Sequence, residues 1–180
     1  MKNRVKGGAI MDRENNIIQD SYYLINLFHR DGKKVTQLHV QKLMFLFEAY
    51  YMNATGKNEL YECGYKAWNF GPVAPRLYKR FKDCGKDDIY ITEEEENEGD
   101  KISEEKKELM KKLYETFKEF SAMDLVAFTH AKNSPWRNVW EESPYGDISK
   151  SSIKDWFLTT PALRRRCHPC RSLGQPRHCR

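Results

Sequence analysis

Leu43-Met44-Phe45-Leu46-Phe47-Glu48-Ala49-Tyr50-Tyr51-Met52 is the stretch that decides the fold. Wound as a helix it is apolar on almost every side, with Gln41, Lys42 and Glu48 as the polar exceptions. Such a helix belongs in the middle of a bundle, because a surface helix keeps a polar stripe for water. Thr36 stands where a cap is needed and Gly56 follows Thr55, so one helix is expected from about 36 to 55. Lys42 and Glu48 pose a problem on such a spine. A buried charge has to emerge or be paired, since stranding it is costly. Either both sit on one exposed strip, or Gln41 and Lys42 line a groove.

Upstream, Ile17, Ile18, Tyr22, Leu24, Ile25, Leu27 and Phe28 recur at helical spacing until Asp31-Gly32 ends the run. Downstream, Tyr61, Tyr65, Trp68 and Phe70 lie in a short extended segment. Pro75 opens a helix expected to reach Cys84, with Gly85 as its stop. Ile89-Tyr90-Ile91 is the other strand candidate, and Glu93 to Asp100 reads as an acidic solvated loop. Further helices are expected after Ser103, after Ser121 with Asp124 completing a capping box, after Ser134-Pro135, and after Ser149. The fold class is therefore mainly α, a single helical domain over 16–160 with a minor β element around 61–70 and 87–92. Residues 1–15 read as a flexible leader.

The net charge of +5 is unevenly placed, because residues 161–180 hold six arginines and no acid. The body is nearly neutral, so the charge gives no case for a nucleic-acid partner. That basic tail breaks the composition of the rest and is expected to be read-through or foreign sequence. Cys167-His168-Pro169-Cys170 within it has zinc-like spacing, but His178-Cys179 places adjacent ligands where separated ones are normal. No metal is expected. Cys63 and Cys84 read as buried free thiols. No apolar run is long enough for a membrane span, and no secretory segment follows the first residues, so the cytoplasm is the expected location.

Two blocks combine aromatics with residues that restrict the backbone. One is Ala67-Trp68-Asn69-Phe70-Gly71-Pro72-Val73-Ala74-Pro75, the other Thr129-His130-Ala131-Lys132-Asn133-Ser134-Pro135-Trp136. Neither holds a recognisable nucleophile, phosphate loop or metal set, so both read as elements that fix shape. Trp68 and Trp136 suit core packing. His130 could be a general base oriented by Asp124. Its plainer reading is a histidine bonded to a backbone carbonyl where one helix ends. Arg76, Lys79, Arg80 and Lys82 read as a solvated basic face, with phosphate contact as the alternative. His29 and His39 read as surface or turn residues.

In this order and spacing, Gln41-Lys42-Leu43, Ala67-Trp68, Gly71-Pro72-Val73 with Tyr78, Thr129-His130, Ser134-Pro135-Trp136 and Ile153 to Phe157 resemble the Panacea domain. This family is also described as SocA-like antitoxins and GepA-like phage-associated proteins. The resemblance implies a mostly helical antitoxin of a toxin-antitoxin system that binds a protein toxin, in one branch delivering it to an ATP-dependent protease. It implies no cofactor and no catalytic residue. Partner contacts are then expected at Gln41, Lys42, Trp68, Arg76 and Lys79. Gly71, Pro72, Val73, His130, Pro135 and Trp136 are the structural signature. The competing expectations are a small hydrolase or nucleotide-handling enzyme using His130, and a nucleic-acid binder using the 76–82 face.

Overall fold

A computed structural model describes residues 16–161 together with Leu163 and Arg164. The expected leader and most of the basic tail, including its Cys and His residues, lie outside the described residues. Helix α2 (Gln37–Thr55) is the spine, and Val40 and Leu43–Tyr50 are all buried. Around it pack α1 (Ile17–Arg30), α3 (Pro75–Phe81), α5 (Glu104–Phe117), α6 (Ala122–Thr129) and α8 (Lys150–Thr159). Two further helices, α4 (Glu93–Gly99) and α7 (Pro135–Glu142), attach to α1 and to the sheet. The chain is thus mainly α with a minor β element.

The sheet has three antiparallel strands in the order β2 (Gly71–Val73), β1 (Tyr65–Trp68), β3 (Asp147–Ile148). The third strand corrects the sequence expectation, which placed it at 87–92. There Ile89 N donates to Val35 O at 2.9 Å and the Asp88 carboxylate accepts from Val35 N at 2.8 Å, without forming a ladder. Two residues of strand at 147–148 are too short to show a period of two.

The acidic run is a second correction. It forms α4, because Thr92 and Glu95 make a reciprocal capping box and four glutamates fall in the first turn, where the helix dipole favours them. Arg80, expected on a solvated basic face, turns instead to Glu95 and to the Tyr22 hydroxyl. The helix opened by Pro75 is also shorter than expected, giving way to a 3-10 turn over Lys82–Cys84.

Glu48 leaves no exposed strip on the spine. Its carboxylate is fully buried and accepts from the backbone N–H groups of Leu60 and Tyr61 and from Lys150 Nζ at 2.7 Å. This one acid anchors the 60–61 loop and α8 to the spine. Leu163 is also fully buried in the core, beyond the domain boundary expected at 160. Cys63 and Cys84 are free thiols, half-buried rather than buried. No helix among the described residues is long and apolar enough to cross a membrane.

Candidate functional site

The β1–β2 hairpin gathers both sequence blocks and the start of α2. Asn69 and Phe70 form its turn, and the left-handed residue is Gly71, at φ +100°. Ala67, opposite Pro72, gives its N–H to Gly146 O and its carbonyl to Tyr145 N, both at 2.9 Å. Pro72 therefore faces its own backbone away from β1, on the free edge of the sheet, where a missing N–H costs no ladder bond.

Gln41 and Lys42 do for that edge what a neighbouring strand would do. Lys42 Nζ donates to Pro72 O at 2.9 Å. Gln41 Oε1 accepts from Ala74 N at 2.9 Å, and its amide nitrogen donates to Ala74 O at 3.4 Å. Both side chains are buried, so neither offers an exposed surface of its own. The reason is topological: α2 runs beside an edge strand whose backbone groups need partners. Among the described residues no carboxylate pairs with Lys42, and burial lowers its pKa to about 7.

The second block closes the other side of the hairpin. Trp136 is buried and donates its Nε1–H to Trp68 O at 2.8 Å. Thr129 is buried beneath Gly71, where an added Cβ would lie 2.9 Å from its Oγ1. Ser134 caps α7, Pro135 fills the first turn, and Asn133 takes the left-handed backbone (φ 63°) that its short polar side chain tolerates.

His130 ends α6, as expected, but its ring does not bond a carbonyl. The imidazole stacks flat on Trp136, with centroids 3.5 Å apart, and its buried Nε2 has no hydrogen-bond partner among the described residues. Burial, then Lys42 and then Arg137, lower its pKa to about 4. Its carbonyl oxygen accepts from Nε and Nη2 of Arg137. Asp124 stands at the opposite end of α6, accepting from Ser121 N and Oγ. The carboxylate-oriented base proposed for an enzyme is therefore not assembled.

Outside this buried lock the hairpin presents a surface. Arg76 and Lys79 are exposed on α3, and no ion pair engages either among the described residues. Trp68 is half-buried, edge-on to Tyr78 at 4.9 Å. The sequence reading missed Tyr145, which is 55% exposed and holds φ 68°, an outlier for a bulky residue. Its hydroxyl donates to Asn69 Oδ1 at 2.7 Å. No local sequence pattern announces that pairing. His39 was also misread: its Nδ1 accepts from Thr36 N in the capping box of α2.

A cavity of about 980 Å³ opens elsewhere, between α1 and the start of α5, and none of the hairpin residues lines it. No cluster of three or more His, Cys, Asp or Glu suited to a metal occurs among the described residues. Residues 40–137, more than half of the chain, match the family model described as antitoxin SocA-like, Panacea domain. No curated protein and no solved structure matches the chain.

Proposed function

The chain belongs to the SocA-like antitoxin family of the Panacea domain, and on that footing we propose that it neutralises a protein toxin by binding it, with no chemistry of its own. One observation carries this reading. The family signature is spent on fixing one hairpin: Gln41, Lys42 and Trp136 all hold its backbone, and Gly71 makes room for the lysine. A rigid hairpin followed by a helix whose Arg76 and Lys79 carry no ion pair among the described residues suits recognition, because a preorganised surface loses little freedom on binding.

Arg76, Lys79 and Trp68 are the proposed contact residues, while Gln41 and Lys42 act from within by holding the hairpin in place. The toxin is covered directly or handed to an ATP-dependent protease, in a cytoplasmic, phage-associated setting. Co-expression with the product of the adjacent gene is the test. Growth arrest by the neighbour alone and rescue by this chain support the reading, and a harmless neighbour removes its basis. Rescue that disappears in a protease-deficient host assigns the delivery route.

A further inference from the structure

Lys42 and His130 both stand where the β1–β2 hairpin meets the helices behind it. An added Cβ at Gly71 would lie 2.8 Å from Lys42 Cε and 2.9 Å from Thr129 Oγ1, and His130 is the next residue along from Thr129. Lys42 is fully buried and its Nζ grips the hairpin at Pro72 O, 2.9 Å away. His130 lies flat against Trp136, which grips the hairpin from the other side through Trp68 O. One titratable group is therefore part of the grip, and a second is stacked on another part of it.

Positive charge is poorly received at this contact. The charged groups acting on His130 are Lys42 from α2 and Arg137 from α7, both cations. Strand β2 adds no charge, being Gly71-Pro72-Val73. On α6 itself Asp124 is turned to Ser121 at the far end, and on α7 Glu141 lies 3.8 Å from Arg137. A proton on Nε2 of His130 meets no acceptor among the described residues. A cation does gain from an indole face, but Trp136 already carries the Arg137 guanidinium 5.4 Å from its ring centre. Burial, Lys42 and Arg137 accordingly hold the imidazole pKa down at about 4, and burial holds that of Lys42 at about 7.

We propose that Lys42 and His130 make the hairpin a proton-operated latch: taking up protons at these two residues frees it from α2 and α7, and losing them locks it. Once the hairpin lifts, both groups meet water and return toward their ordinary values, so each holds a proton more tightly in the open form. Falling pH therefore favours opening, through Lys42 from its ordinary 10.5 down to about 7, and through His130 from about 6.5 down to about 4. The two titrations push the same way because both groups are cationic when protonated and no carboxylate among the described residues compensates them. Gln41, which bonds Ala74 and does not titrate, is the part of the grip that protons leave alone.

Hydrogen exchange in the full chain reads the latch with no toxin present. Ala74 N–H, bonded to Gln41 Oε1, and Trp136 Nε1–H, bonded to Trp68 O, report the grip. Ile89 N–H, bonded to Val35 O, is the reference on another segment. Corrected for intrinsic exchange, opening at Ala74 and Trp136 is expected to rise about fivefold or more from about pH 6.5 to 5, while Ile89 stays within about twofold. His130→Phe should flatten that rise, and Lys42→Met should flatten the corresponding rise from about pH 9.5 to 7.5. The His130 ring, titrated by NMR, should show a pKa well below the ordinary value in the wild type and a higher one in Lys42→Met. A rise shared equally by Ile89 would mean that the whole fold loosens, and a rise unchanged in His130→Phe would place the proton elsewhere. Either result refutes the latch, and so does an ordinary His130 pKa in the wild type, which is readable even if neither variant folds.

Discussion

Lys42 Nζ reaches the Pro72 carbonyl oxygen at 2.9 Å by passing directly under Gly71, where an added Cβ would lie 2.8 Å from Lys42 Cε. The absence of a side chain at 71 and the presence of a long one at 42 are therefore one feature. Gly71 also holds φ +100°, which side-chain-bearing residues rarely adopt. The hairpin can sit against α2 only because both conditions are met at once.

Gly71→Ala should therefore lose more stability than a left-handed glycine with open space around it. Gly32 supplies the comparison, with φ +64° and nothing within 4 Å of its added Cβ. Gly32→Ala is expected to cost about 1–2 kcal/mol from backbone conformation alone. Gly71→Ala is expected to cost about 2–4 kcal/mol, since overpacking adds to that. Urea denaturation of both variants checks this, with Lys42→Ala in the Gly71→Ala background relieving part of the excess. Equal losses at the two glycines would show that the lysine yields freely.

The lysine itself predicts a pH dependence. An unfolded lysine keeps its proton to about pH 10.5, whereas burial brings the folded pKa to about 7. Between those values unfolding takes up a proton, so the charge destabilises the fold fully below pH 7 and the penalty fades as pH rises. Relative to Lys42→Met, which has no such group, the wild type should gain stability between pH 7.5 and 9.5. The gain is at most about 1.4 kcal/mol per pH unit. A stability difference that stays flat across this range would mean the ammonium remains charged in the fold.

The reach of the sequence follows from what each signal encodes. The all-round apolar face of 43–52 fixed α2 as the spine, and the caps at Thr36, Ser103, Ser121, Ser134 and Ser149 are all formed. Those signals are local. Whether Lys42 is exposed depends on an edge strand thirty residues away, and no helical periodicity contains that information. Helix α4 was legible in principle, since Thr92 and Glu95 have capping-box spacing, but four consecutive glutamates suggest repulsion unless the helix dipole is counted. Tyr145 and the 147–148 strand depend on pairing with β1, a long-range fact with no local trace.

Glu48 gives a third prediction. Its buried Oε1 serves two backbone N–H groups and one lysine, so Glu48→Ala leaves both loop donors without their acceptor and reduces Lys150 to its bond with Cys63 O. A loss of about 3 kcal/mol is expected. Lys150→Met should cost less, because the two loop donors keep their acceptor. Thermal denaturation of the two variants compares them, and a larger loss for Lys150→Met would reverse the assigned roles.

Leu163 lies beyond the domain boundary expected at 160. It is fully buried, and its N–H and that of Arg164 both donate to Thr160 O at 3.1 Å. Ending the chain after Thr160 should remove one core leucine and cost about 2 kcal/mol. Ending it after Arg164 should leave the melting temperature within a few degrees of the full chain. Equal melting of the two truncations would return the boundary to 160.

His130 separates a structural role from a chemical one. Its folded pKa of about 4 lies below the ordinary 6.5, so unfolding takes up a proton once pH falls below about 6.5, and the penalty is complete near pH 4. His130→Phe keeps a flat ring against Trp136 and removes both the titration and the unpartnered Nε2. The variant should therefore lose less stability than wild type between pH 6.5 and 4.5, measured by urea midpoints at each pH. It should also rescue cells from the toxin as wild type does, because Lys42, Gln41 and Trp136 still hold the hairpin. A folded His130→Phe protein that no longer rescues would instead place function-bearing chemistry on the imidazole, and Gln41, Lys42 and Arg137 would then need testing as its partners.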